Sequence, residues 1–388
     1  MWHTPVRSAQ TNFIVGQKRV LLSVAITTLL GSSATSSKAS QLIRKNAIPI
    51  NSSSAVGLFF TGYKLEAGQY RTLLASLSPA IKLTTISSAD DADSTLESLN
   101  YDANKIISEV KLLGYSFEYL TTMDNRDEKD AYNYPPLLLM GHSRGGAVMA
   151  LAATKYLKAT KKSKGAFSSN MIKAHRARIL LVLVDPVDSA ENIVLRALHE
   201  SLPSHLPQEA GTDKTNALSE ENHSWPWPVL IISTPYGGYS SYYKTPYESA
   251  CAPLGRNGAA FMKIMGESIF LESKQTDAAY SSTTEVIQTS QPIINGGLSK
   301  PLAVVSVVLS DVGHCQLLDD RRKSAIGSLC AANEKISDKS VQGFIKTLTL
   351  LWVSWSLTPY DADRELQIVE IKRNIGELYP NIKTIWSV

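Results

Sequence analysis

An α/β fold, with a mostly parallel central sheet flanked by helices and with cap or loop insertions, is what this chain of 388 residues predicts. Three observations carry that reading. Apolar runs of buried-strand length recur from Pro136 to Met140, Arg178 to Val184 and Leu302 to Ser310, continuous rather than alternating, as strands covered on both faces read. Stretches with helical periodicity lie between and around them. Residues able to do chemistry stand directly after these runs, at the edge where open parallel sheets collect their reactive groups.

Along the chain, Ala55 to Phe60 reads as a strand that runs into the loop Thr61-Gly62-Tyr63. Helical spacing follows from Gln69 to Leu77 and from Thr95 to Leu113. After the strand at Pro136 comes a small-residue helical run, Ala147 to Tyr156, and then Lys155 to Lys164, a Lys-rich stretch that reads as a solvated loop, contact with an anionic membrane surface being the lesser alternative. Pro228 to Ile232 is a further strand. Between Asp188 and Pro228, and again from Tyr236 to Pro292, regular signals fade, which fits cap and loop segments over the reactive edge. Val341 to Leu357, with Trp352 and Trp355, is apolar enough to suggest membrane contact, although a helix packed on the sheet is the more ordinary reading.

Gly141-His142-Ser143-Arg144-Gly145 joins a strand to a helix, the sequence form of a nucleophile elbow. A serine hydroxyl is a weak nucleophile, so it must stand on a sharp turn where a base reaches it and backbone N–H groups hold the oxyanion. The elbow alone is a short pattern. Here an acid and a histidine follow in the order such sites use: Asp185 ends the second apolar run, and His314 follows the third within Asp311-Val312-Gly313-His314. The expected chemistry is a triad in which His314 takes the Ser143 proton and returns it to the leaving alcohol, while Asp185 orients the imidazole. One oxyanion donor is the backbone N–H of Arg144, the residue after the nucleophile, and the Tyr63 N–H is expected as the second. Asp188 is the alternative acid, three residues further from the strand end. His142 invites a catalytic role, but an elbow turns neighbouring side chains away from the pocket, so a packed or hydrogen-bonded histidine is expected. Asp311, Asp319 and Asp320 read as helix caps or solvated groups, with tuning of His314 as the alternative.

These motifs carry a family resemblance. Gly141-His142-Ser143-Arg144-Gly145-Gly146, then Val184-Asp185-Pro186-Val187-Asp188, then Gly313-His314 with Leu318-Asp319-Asp320 behind it, resemble the chlorophyllases. Phe59-Phe60-Thr61-Gly62-Tyr63 ahead of Tyr70 and Leu73-Leu74 resembles that family's oxyanion turn, and Cys251-Ala252-Pro253 with Gly255 and Asn257 its Cys-Ala-Pro segment. The resemblance spans about 55 to 320. It implies an α/β-hydrolase that cleaves the phytyl ester of chlorophyll to chlorophyllide and phytol, with Ser143, Asp185 and His314 as triad; the alternatives are a general carboxylesterase or lipase of the same fold and a hydrolase-fold protein that binds a pigment or lipid without turning it over. Thr61, Ala147, Arg256 and Gly258 depart from the family's usual residues without touching the three triad candidates. Residues 236 to 247 hold five tyrosines, read either as an aromatic wall for a flat apolar macrocycle or as an ordinary surface loop.

The formal net charge of +4 is misleading. Residues 1–45 hold six basic residues (Arg7, Lys18, Arg19, Lys38, Arg44, Lys45) and no Asp or Glu, so the remainder has 33 basic against 35 acidic residues and a charge of −2. A nucleic-acid partner thereby loses its main electrostatic footing. Lys18-Arg19 precedes the apolar run Val20 to Leu30, and small residues from Gly31 to Ala39 follow, the layout of a signal peptide or an acid-poor transit sequence. That core, about 11 residues, is shorter than the roughly 20 a membrane-spanning helix needs. The expectation is a targeting segment over 1–45 and one catalytic domain over 46–388, delivered to the plastid, with secretion or the endomembrane system as the alternative. The substrate is then chlorophyll or a related hydrophobic ester, with peripheral contact to a thylakoid or other membrane surface. Cys251, Cys315 and Cys330 allow at most one bridge. Cys315, beside the proposed base, reads as a small buried hydrophobe rather than a redox sensor. There is no Cys/His spacing of the zinc kind, and the hydrolysis needs no cofactor.

Overall fold

The computed structural model describes residues 55–88, 93, 95–113, 135–162, 179–201, 227–236, 251–253, 255–265, 304–323, 330–356 and 364–387. In chain order the elements are β1 (Ala55–Phe60), a 3-10 turn (Ala67–Tyr70) running into α1 (Arg71–Leu77), β2 (Ile81–Ile86), α2 (Leu96–Leu112), β3 (Leu137–His142), α3 (Arg144–Lys162), β4 (Ile179–Val184), α4 (Ile193–Ser201), β5 (Val229–Ser233), β6 (Val304–Leu309), α5 (Asp338–Ser356), α6 (Arg364–Leu378) and β7 (Thr384–Ser387). The targeting segment expected over 1–45 lies outside the described residues, as do the tyrosines beyond Tyr236 that read either as an aromatic wall or as an ordinary surface loop.

The strands form one sheet in the order β2-β1-β3-β4-β5-β6-β7. All neighbouring pairs are parallel except β6 with β7, which is antiparallel. The protein is therefore α/β with a mostly parallel central sheet. Its inner strands are apolar on both faces because both faces are covered. Alternate residues divide between two cores: Phe59, Leu138, Met140, Val182, Ile232 and Val307 pack with α1, α5 and α6, while Leu58, Phe60, Leu139, Leu181, Ile231 and Val304 pack with α2, α3 and α4. Burying each such side chain stabilises the fold by about 1.5–3 kcal/mol.

Chain order fixes where a site can form. From β1 the chain goes outward to β2, then crosses back to β3 on the other side of β1. Strand order reverses between β1 and β3, and the crevice beyond the carboxyl ends of those strands is where open α/β sheets bind ligands. The register aligns those ends: Phe60 pairs with Gly141, His142 with Val184, and Val184 with Ile232.

Several expectations are corrected by the structure. The Lys-rich stretch is not a loop up to Lys162, because α3 continues to that residue, with Ala and Lys favouring the helix. Regular structure also occurs where signals fade: α4 follows Asp188, and 258–265 is helical. The favoured reading of the Trp352 stretch agrees with the structure: α5 packs on the sheet through Val341, Phe344, Ile345, Leu348, Leu351 and Trp352. Among the described residues no helix is long and apolar enough to cross a membrane.

Candidate active site

Ser143 sits between β3 and α3 with φ of +55°, in the left-handed region that an elbow demands. Its turn is held by the Ser143 N–H donating to Val184 O at 3.0 Å and by Ser143 O accepting from Gly146 N–H and Val187 N–H. The glycines on either side answer to close packing. A Cβ on Gly145 would lie 2.3 Å from Phe60 O, and one on Gly141 would lie 2.4 Å from Gly145 O. No other residue lets the start of α3 approach the end of β1 and the exit of β3 so closely.

Asp185 and His314 come to this serine from the ends of β4 and β6. His314 Nε2 is 2.9 Å from Ser143 Oγ, and His314 Nδ1 is 2.6 Å from Asp185 Oδ2. An ionised carboxylate only accepts, so Nδ1 carries the proton of the neutral ring and Nε2 presents its lone pair to the serine hydroxyl. Asp185 also has positive φ, +42°. Its second polar anchor is Thr234, the residue after β5: Thr234 Oγ1 donates to Asp185 Oδ2 at 2.5 Å and Thr234 N–H donates to Oδ1 at 3.2 Å. All three triad candidates are buried, Asp185 at 1% exposure and His314 at 3%. Thr234 is a site residue that sequence reading missed. Its signal was available: a hydroxyl immediately past a buried parallel strand, on the same edge as Asp185.

The alternative acid has other work. Asp188 accepts from the backbone N–H groups of Ser189, Val194 and Leu195, at 2.7, 3.1 and 2.8 Å, and so caps α4. Burial holds its carboxyl above the usual range even against those three hydrogen bonds. Asp319 accepts from Thr72 N–H at 2.7 Å, in the first turn of α1, and from Gln342. Asp320 pairs with Lys323, and Asp311 lies 3.6 Å from Lys383.

The Tyr63 N–H has no partner among the described residues, and neither does that of Arg144, at the start of α3. The Arg144 side chain turns away from the serine and is enclosed: it donates to Asp102 Oδ2 at 2.5 Å, to Ser88 and Ser98 hydroxyls, and to Asp93 O. Asp102 stands on the buried face of α2 among Leu99, Ala103 and Ile106. A carboxylate on an apolar helix face is a readable sign of a buried cation, though its partner could not be named from spacing.

His142 is fully buried beside His314. Its Nδ1 is 2.7 Å from Tyr70 Oη and its Nε2 is 3.0 Å from His314 O. Burial and the neighbouring His314 both hold it well below the usual imidazole range, so it is neutral. Cys251 and Cys330 form a disulfide across 79 positions, joining the segment beyond β5 to the one beyond the His314 loop. Cys315 is buried and free, its thiol pushed up to about 12 chiefly by burial.

Compared with known proteins, the chain matches no family model, and no curated protein matches it.

Proposed function

We propose that this protein is a serine ester hydrolase of the α/β-hydrolase kind, acting on the phytyl ester of chlorophyll in the plastid. The observation that carries the reaction type is the unbroken chain Ser143 Oγ, His314 Nε2, His314 Nδ1, Asp185 Oδ2, with both contacts in hydrogen-bond range. It lies at the switch point of a parallel sheet, in the order serine, aspartate, histidine along the chain. The choice of ester rests on the chlorophyllase resemblance of the segments quoted above.

In this reading Ser143 Oγ attacks the ester carbonyl as His314 Nε2 takes its proton. The developing oxyanion is held by the N–H groups of Arg144 and Tyr63, each such donor typically contributing about 3 kcal/mol. Asp185, held by Thr234, stabilises the imidazolium. Collapse of the tetrahedral adduct breaks the bond to the alkoxy oxygen, which takes the proton from His314 and leaves as phytol. A water, deprotonated by the same nitrogen, then attacks the acyl-enzyme and releases the carboxylate, chlorophyllide, with Ser143 restored.

A fluorophosphonate probe tests the reaction type independently of the substrate. Labelling of wild type at Ser143, absent in Ser143→Ala and strongly slowed in His314→Ala, is the expected pattern. Labelling at another serine, or none, would sink the assignment.

A further inference from the structure

Behind the triad runs a second hydrogen-bond chain, and its directions can be worked out. A backbone carbonyl only accepts, so His142 Nε2, 3.0 Å from His314 O, must carry a hydrogen. The ring is neutral, so Nδ1 is an acceptor, and Tyr70 Oη, 2.7 Å away, donates to it. The Tyr70 oxygen in turn accepts from Gly62 N–H at 3.0 Å. Burial keeps that phenol well above its usual range, so the hydroxyl keeps its proton at neutral pH. Every donor has an acceptor and every acceptor a donor, along Gly62, Tyr70, His142 and the backbone of His314.

The ends of this chain are the two parts of the site that must stay in register. Gly62 precedes Tyr63 in the oxyanion turn, and His314 is the base. Resting on the hydrolase reading above, we infer that Tyr70 and His142 are positioning residues that fix the oxyanion turn relative to the catalytic histidine. With the Gly62 N–H held by Tyr70, the donor the turn offers to an oxyanion is that of Tyr63. With His142 in its neutral Nε2–H form, its ring can lie 4.7 Å from that of His314, centroid to centroid. The imidazolium formed on His314 during turnover then meets no like charge. Asp319 braces the same contact from the far side: its N–H donates to Gln69 O at 2.6 Å, tying the stretch after His314 to the turn that carries Tyr70.

The test compares wild type, Tyr70→Phe, His142→Gln and His142→Leu on p-nitrophenyl butyrate, with fluorophosphonate labelling and thermal midpoints alongside. Tyr70→Phe removes one oxygen. It should lower kcat roughly 10- to 100-fold, in line with small misplacements of reacting groups, with KM within about twofold, and slow Ser143 labelling in parallel. His142→Leu should lose as much. His142→Gln should restore kcat to within about fivefold of wild type, because an amide can donate to His314 O and accept from Tyr70 while staying neutral. Tyr70→Phe/His142→Leu should be no worse than the poorer single variant, as expected for groups that act as one unit. A Tyr70→Phe enzyme with wild-type kcat, or a His142→Gln enzyme as poor as His142→Leu, overturns the inference. Should a variant lose its fold, the 15N shifts of the His142 ring in wild type decide: a protonated Nδ1 would reverse the chain and refute it. Failure of wild type to label at Ser143 strikes the hydrolase reading instead, which keeps the two claims apart.

Discussion

Asp185 and Asp188 lie three residues apart, both are buried, and only their partners separate them. Asp185 touches His314 and Thr234, whereas Asp188 holds the Ser189 N–H and two N–H groups in the first turn of α4. Asp185→Asn should leave the fold in place and lower kcat on the order of 10⁴-fold, because an amide can hold the wrong imidazole tautomer. Asp188→Ala should instead cost about 1–2 kcal/mol of stability through loss of the cap, with most turnover kept. Urea midpoints and kcat measured on both variants check the pair, and exchanged phenotypes would reverse the acid assignment. His142 supplies a pH prediction. Unfolded, it titrates near about 6.5; folded, its pKa lies well below that. Between the two values the unfolded chain holds the extra proton, so stability is kept above that window and falls as the pH drops through it. Removing the ring in His142→Gln should flatten the fall in urea midpoint between pH 7.5 and 5.5; equal slopes for variant and wild type would contradict the buried neutral histidine.

Elements were legible in proportion to how completely they are buried. β3, β4 and β6, buried at nearly every position, announce themselves as continuous apolar runs. β2 does not, because Ile81–Ile86 is an edge strand with Lys82 and Thr84 outward and only its two isoleucines fully buried. β7 is shorter and alternates between half-buried and exposed residues. α4 escaped notice because its cap, Asp188, stands outside the local spacing that marks helix starts. α6 lies beyond the elements expected from sequence, yet Ile368, Ile371, Ile375 and Leu378 carry the helical spacing plainly. In the candidate site, the residues at strand ends were readable, Thr234 and Asp102 carried local signals without naming their partners, and the contact of Tyr70 with His142, 72 positions away, is encoded by no local pattern. The Arg144–Asp102 pair belongs at this scale, since it ties the start of α3 to α2 with side chains 5% and 1% exposed. Asp102→Ala should cost about 3–5 kcal/mol by stranding a buried cation. A urea midpoint within error of wild type would show that the guanidinium finds water instead.

At the scale of the molecule, Ser143, Asp185 and His314, from the ends of β3, β4 and β6, meet at one edge, and the disulfide fastens two of the segments that approach it. With a sequence separation of 79 between Cys251 and Cys330, loop closure predicts a contribution of about 4.5 kcal/mol. Cys330→Ser should therefore lower the urea midpoint markedly, and added reductant should do the same to wild type while leaving the variant unchanged. Chlorophyll ester hydrolysis at Ser143, the proposed function, can be followed by incubating chlorophyll a in mild detergent with wild type and with Ser143→Ala and separating the pigments by chromatography. The expected product is a pigment with an unchanged visible spectrum and no phytyl tail, formed by wild type alone. Intact chlorophyll in the wild-type reaction, while simple esters are still cleaved through Ser143, would contradict the pigment assignment; product from Ser143→Ala at the wild-type rate would contradict the nucleophile.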